Sequence, residues 1–188
     1  MAEKHHVPII SDEIYADMVF SGKTFVPLAS LSTTVPILTT GGIAKRWMVP
    51  GWRVGWILVH DRNGIFAEEV HGGLIRLSQS ILGSNSLIQS ILPDMLLKTD
   101  ESYYKSCLEQ LEGNAMYTCE RLSKVPGLKV IVPGGAMYVM VGIEKDKFKD
   151  IKDDADFCSK LVQEESVLCL PGKVKKKKER SKIILNND

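Results

Sequence analysis

T-G-G-I-A-K-R-W-M-V-P-G-W-R-V-G-W, residues 40–56, is the stretch on which the fold turns. Gly41 and Gly42 permit close backbone approach and unusual torsions. Lys45 then sits among Ile43, Ala44, Trp47, Met48 and Val49, with Arg46 beside it. Apolar neighbours partly desolvate an amine, which is one route to a nucleophile or general base. Pro50-Gly51 makes a sharp turn, and Arg53 then enters another apolar run. An arginine at a strand edge presents several fixed donors, which suit a phosphate.

Working outward, thirty residues before the lysine the chain reads S-D-E-I-Y, residues 11–15. Three short apolar runs surround these motifs: 7–11, 35–39 and 52–59. Near-continuous apolar runs predict strands covered on both faces, as in an α/β sheet. Ligands in such folds gather where strands end. Asp12 is suited to pair with a protonated heterocyclic nitrogen, and Tyr15 directs a hydroxyl to the same ligand. Singly, each residue has a plainer explanation. A loop lysine is usually solvated, an arginine before a strand is usually a surface ion pair, and D-x-x-Y is common by chance. It is their shared placement at strand ends that carries weight.

The rest of the chain changes character. Residues 64–98 have helical period, with Phe66, Val70, Leu74, Leu77 and Ile81 as a stripe that Gly72-Gly73 weakens enough to allow a bend. Ser84 or Asn85 caps a second helix, which Pro93 is expected to kink. Residues 100–124 read as one long helix, stopped by Pro126-Gly127. Two strands, 128–132 and 136–142, flank Pro133-Gly134-Gly135, and a helix follows at 153–165. This predicts a wound-sheet region at 1–63, a helical connector at 64–99, an α+β unit at 100–172 and a basic, disordered tail at 173–188.

The formal net charge of +1 hides an asymmetry. Residues 173–182 carry seven basic groups and one acid, net +6, which leaves the remainder at −5. Nucleic acid is therefore not expected as a partner of the mildly acidic body. The tail is read as a solvated charge run, since no aromatic platform accompanies it. Cys107, Cys119, Cys158 and Cys169 show no metal-ligand spacing, and His5-His6 are adjacent rather than on one face, so no metal is expected. Four reduced cysteines fit a cytoplasmic protein. No apolar run approaches the roughly 18 residues that a membrane helix needs, so no membrane partner is expected.

The stretches V-P-I-I-S-D-E-I-Y-A-D-M-V-F, G-G-I-A-K-R-W-M-V-P-G-W-R-V-G-W-I-L-V-H-D and P-G-G-A-M-Y-V-M-V-G-I-E make the sequence similar to the fold-type I aminotransferases of classes I and II. The resemblance runs from about residue 7 to residue 171. It implies an incomplete fold-type I pyridoxal-phosphate transferase: a mixed, mostly parallel sheet of the large domain plus a partial α+β small domain. It implies pyridoxal 5'-phosphate as cofactor, with Lys45 at the Schiff-base position and as proton carrier. Asp12 then faces the pyridine nitrogen, Tyr15 the phenolic oxygen and Arg53 the phosphate. The branch resembled implies L-tyrosine and 2-oxoglutarate as substrates, in aromatic amino-acid catabolism, and a homodimer.

Three departures from the family pattern qualify that expectation. The hydroxyl residue often found three before the lysine is replaced by Gly42, with Thr40 a weaker candidate for a phosphate contact. The region that carries a glycine-bearing phosphate loop, a ring-stacking aromatic and an asparagine in the family is expected to be missing before residue 7. After Pro171 the carboxylate-gripping arginine has no match, and Arg180 does not take its role. The alternative expectation is thus an inactive fragment acting as a structural or interaction module.

Overall fold

Ile37, at the start of the second strand, is 1% exposed, and Ile43, just beyond its end, is 0% exposed. Around this run the computed structural model builds the first of two units. The structure describes residues 1–172 and the backbone of 182–186. By contacts, one unit comprises Met1–Met18 and Thr24–Lys105, and the other Val19–Lys23 and Ser106–Asp188. The helical residues 64–99 thus belong with the first sheet, and the short segment 19–23 belongs with the second.

The first unit opens with a one-turn helix α1 (Ala2–His5) and three strands: β1 (Ile9–Asp12), β2 (Ile37–Gly42) and β3 (Gly55–His60). Their order is β1-β2-β3. β1 and β2 run parallel, with Ile9 opposite Ile37 and Asp12 opposite Thr40. β2 and β3 run antiparallel, with Ile37 opposite His60 and Gly42 opposite Gly55. The sheet is mixed, as expected. Its strands are not covered on both faces among the described residues. β1 alternates, with Ile10 74% exposed, and Ile57 and Leu58 of β3 are exposed as well.

Helix α2 (Glu69–Gln79) continues through Gly72-Gly73. The chain turns later, where Leu82 and Gly83 take positive φ. The apolar stripe also divides: Phe66 is buried before the helix begins, while Leu77 and Ile81 are exposed. Helix α3 (Ser86–Lys98) contains Pro93 and is capped by Asn85, whose side chain accepts from Leu87 N at 2.9 Å and Ile88 N at 3.3 Å. Helix α4 (Glu101–Ser123) starts beside Asp100, which accepts from Ser102 N at 2.8 Å.

In the second unit, β4 (Leu128–Ile131) and β5 (Tyr138–Ile143) pair antiparallel, with Leu128 opposite Ile143. Gly127 sits at φ 93°, and a Cβ there would come 2.7 Å from Lys147 Cβ, so only glycine fits. Helix α5 (Asp154–Glu165) is capped by Asp153, which accepts from Asp156 N at 3.0 Å. A two-residue strand β6 (Leu170–Pro171) follows. Val139 and Val141 are fully buried, together with Leu111, Ala115, Cys119 and Cys158. Each buried valine contributes about 2 kcal/mol of hydrophobic stabilisation.

The expectation of a disordered tail over 173–188 is corrected at its far end. Residues Lys182–Asn186 form β7, which pairs antiparallel with both β5 and β6 and completes the order β4-β5-β7-β6. The reason is local. Ile183, Ile184 and Leu185 follow the charge run, and such residues suit a pleated, half-buried surface. Residues 173–181, with most of the basic run, and 187–188 lie outside the described residues.

Candidate active site

The register of the first sheet brings the predicted residues to one end. β1 and β2 are parallel, so Asp12 and Thr40 finish side by side. β3 is antiparallel, so its first residues lie beside the last of β2, Gly42 against Gly55. Lys45 follows β2 by three residues, and Arg53 precedes β3 by two.

Asp12 is held by local and cross-strand donors. Its Oδ1 accepts from Ile14 N at 3.3 Å and from the Thr40 hydroxyl at 3.1 Å. Both bonds fall on the same oxygen. Thr40 is therefore a partner of Asp12, a role for which the sequence offers no signal until the register is known. Glu13 secures the following turn: its N–H donates to Thr40 O at 2.9 Å, and its Oε1 accepts from Leu28 N at 2.9 Å.

Lys45 is half-buried and lies over the Tyr15 ring, with Nζ 5.5 Å from the centroid. Among the described residues it makes no ion pair. Its carbonyl accepts from Met48 N at 3.0 Å, which closes a turn in which Met48 takes φ 55°. That torsion is unusual for a non-glycine residue and costs roughly 1 kcal/mol or more. Ile43 N donates to Val54 O at 3.2 Å and locks the start of the loop to the residue after Arg53.

The glycines before the lysine answer to contact. A Cβ on Gly41 would lie 2.6 Å from Trp56 Nε1. A Cβ on Gly42 would lie 2.9 Å from Val54 O and 3.3 Å from Ile14 Cδ1. This backbone leaves no room for a hydroxyl side chain at position 42.

Arg53 also takes a left-handed backbone, φ 55°. Its Nη1 donates to Pro50 O at 2.9 Å, and its own carbonyl accepts from the Ser84 hydroxyl at 3.3 Å. The residue is exposed, and that one bond leaves most of its five N–H donors for an anion. Asp12, Tyr15, Lys45 and Arg53 thus gather at one sheet end: a carboxylate, a phenol, an amine and a guanidinium. The set fits an aromatic cofactor with a basic ring nitrogen, an aldehyde and a phosphate. No group of three His, Cys, Asp or Glu side chains able to hold a metal occurs among the described residues.

Fold and site together define a class. The family model described as "Aminotransferase class I and II" matches residues 1–186. The chain belongs to the class I and II aminotransferases, a family of pyridoxal-phosphate enzymes. Within it, the chain is 50% identical over 172 residues to tyrosine aminotransferase of Mus musculus, covering 92% of this chain and 38% of that protein. Tyrosine aminotransferase of Dictyostelium discoideum is 47% identical over 178 residues, covering 93% and 43% respectively. Among solved structures, tyrosine aminotransferase from Leishmania infantum superposes with a TM-score of 0.87 at 35% identity, over 97% of this chain and 45% of that one. Alanine aminotransferase from Pyrococcus furiosus superposes at 0.85 and 27% identity, over 99% and 46%. The chain spans about two fifths of the length of the curated relatives it matches.

Proposed function

We propose that this chain carries the lysine-bearing floor of a pyridoxal-phosphate-dependent tyrosine aminotransferase. The reaction converts L-tyrosine and 2-oxoglutarate to 4-hydroxyphenylpyruvate and L-glutamate. The observation that carries this reading is the meeting of Asp12, Tyr15, Lys45 and Arg53 at the ends of β1, β2 and β3. The identity to tyrosine aminotransferases from animals and an amoeba supports the choice of substrate.

Each side chain has a task. Bound pyridoxal 5'-phosphate supplies the electron sink for breaking the Cα–H bond. The Lys45 amine would hold the cofactor through its aldehyde. The same amine would take the substrate Cα proton as general base and deliver it, as acid, to the cofactor carbon that bore the aldehyde. Asp12, with Oδ1 already held by Thr40 and Ile14, uses its other oxygen to keep the ring nitrogen protonated. The Tyr15 hydroxyl donates to the phenolic oxygen. Arg53 binds the phosphate through a charge-assisted pair. The reading includes a homodimer in the cytoplasm. No helix among the described residues is long and apolar enough to cross a membrane.

Borohydride reduction of the chain with pyridoxal 5'-phosphate, followed by peptide mass spectrometry, tests the assignment. The modification is expected at Lys45 and is lost in Lys45→Ala. Labelling spread evenly over the lysines would reject it. Formation of 4-hydroxyphenylpyruvate from tyrosine and 2-oxoglutarate tests the substrate.

A further inference from the structure

Lys45 owes its position to its neighbours rather than to its own amine. That amine meets only the face of Tyr15, at 5.5 Å, among the described contacts. Arg46, the next residue, is gripped from two directions within the same unit. Its Nη1 lies 2.6 Å from Asp17 Oδ2, in the segment that follows β1. Its guanidinium carbon lies 4.4 Å from the Tyr104 ring centroid, in the first turn of α4, and 5.4 Å from that of Trp47. Trp47 and Tyr104 meet edge to face at 6.1 Å and 86°. Tyr103 donates its hydroxyl to the Trp47 carbonyl at 3.1 Å.

An exposed ion pair taken alone stabilises little. Asp17 is 57% exposed, so the pair by itself is a weak anchor. The stack changes that weighing. A planar guanidinium lies against aromatic rings far better than an ammonium does, and Tyr104 is 9% exposed as a residue while the Arg46 side chain is 29% exposed, so the contact is mostly shielded from water. Carboxylate, stack and Tyr103 hydrogen bond act on consecutive residues 46 and 47. They tie the loop between β2 and β3, directly after the lysine, to the segment that follows β1 and to the start of α4.

We infer that Arg46 is a positioning residue for Lys45, clamped by Asp17 and Tyr104 so that the amine stays over Tyr15 and is favoured over other lysines for the cofactor aldehyde. This rests on the assignment of Lys45 as the cofactor lysine. Arg46 touches neither cofactor nor substrate in this role. Its effect is on where the Lys45 backbone stands.

The test compares wild type, Arg46→Lys, Arg46→Gln and Lys45→Ala. Each protein is incubated with pyridoxal 5'-phosphate, reduced with borohydride and digested. The readout is the modified fraction at Lys45 divided by the mean over the other lysines, an internal ratio read beside circular dichroism, because unfolding would lower it as well. Loss of the stack and the ion pair in Arg46→Gln is expected to lower that ratio about fivefold. Arg46→Lys keeps a charge toward Asp17 but loses the planar stack, and should fall between the two. A wild-type ratio in both variants, with circular dichroism unchanged, overturns the inference while leaving the cofactor assignment intact. Should Arg46→Gln lose its helical signal, Arg46→Lys decides alone: a lowered ratio supports the clamp and an unchanged one rejects it. No preference for Lys45 in wild type defeats the cofactor assignment, and the inference with it.

Discussion

The Thr40 hydroxyl donates to Asp12 Oδ1 at 3.1 Å across a parallel strand pair in which the two residues stand in register. This fixes one carboxylate oxygen and orients the other. Thr40→Val removes the donor while keeping the shape. Net stability should change by only about 1 kcal/mol, since one exposed hydrogen bond is lost. Cofactor capture should weaken severalfold, because a carboxylate held by Ile14 N alone samples more rotamers. Imine absorbance titrated with pyridoxal 5'-phosphate, beside a urea unfolding curve, separates the two effects.

Gly42→Ser places the hydroxyl that other family members carry three residues before the lysine. Here its Cβ would meet Val54 O at 2.9 Å, and backbone yields poorly. The variant should lose roughly 1–3 kcal/mol of stability through overpacking. No tightening of cofactor binding should accompany it. A lowered unfolding midpoint with unchanged or weaker titration is the expected pair of results, and tighter binding without loss of stability would contradict it.

Arg53→Lys exchanges a planar fork for a point charge. Affinity for pyridoxal 5'-phosphate should fall by roughly tenfold, while affinity for pyridoxal, which lacks the phosphate, should hardly move. Equal losses for both ligands would remove Arg53 from the phosphate site.

Burial pushes the Cys158 thiol up to about 11, with Cys169 and Asp154 adding to it. Cys119 and Cys169 are also raised by burial. The thiolate is the reactive form, so these three should resist alkylation at neutral pH. Cys107, which is less buried, should react first, as peptide mass spectrometry after iodoacetamide would show. The linkage has a definite sign. The folded state binds the Cys158 proton more tightly than the unfolded one, whose thiol titrates near 9.0. The stability this provides is fully present below that pH and is lost as pH rises toward about 11. Cys158→Ser should flatten the alkaline arm of the stability curve.

Much of the fold was legible because it rests on local pattern. The apolar runs at 7–11, 35–39 and 52–59 mark β1, β2 and β3 within a few residues, and Pro126-Gly127 marks where α4 gives way to β4. Asn85 announces α3 by its chemistry as a cap. The misreadings share a cause. Gly72-Gly73 looks like a weak point in the helical pattern, yet α2 continues through it. The run 173–182 is so charged that it masked the apolar triplet behind it, which pairs with β5 and β6. Pairing with distant strands is a tertiary event that local composition does not report.

The sequence by itself determined the family and the chemical types of the candidate site. Lys45 between two glycines and a proline turn, Asp12 three residues before Tyr15, and Arg53 before an apolar strand are legible one after another. Tertiary structure alone decided how they meet. Parallel pairing sets Asp12 beside Thr40, antiparallel pairing brings Gly55 against Gly42, and the start of α4 lays Tyr104 on Arg46. These relations join residues 13 to 58 positions apart. Only the register of the sheet and the packing of a helix fix such distances, because hydrogen-bond ladders and ring contacts act between neighbours in space, and the linear order of residues does not encode them.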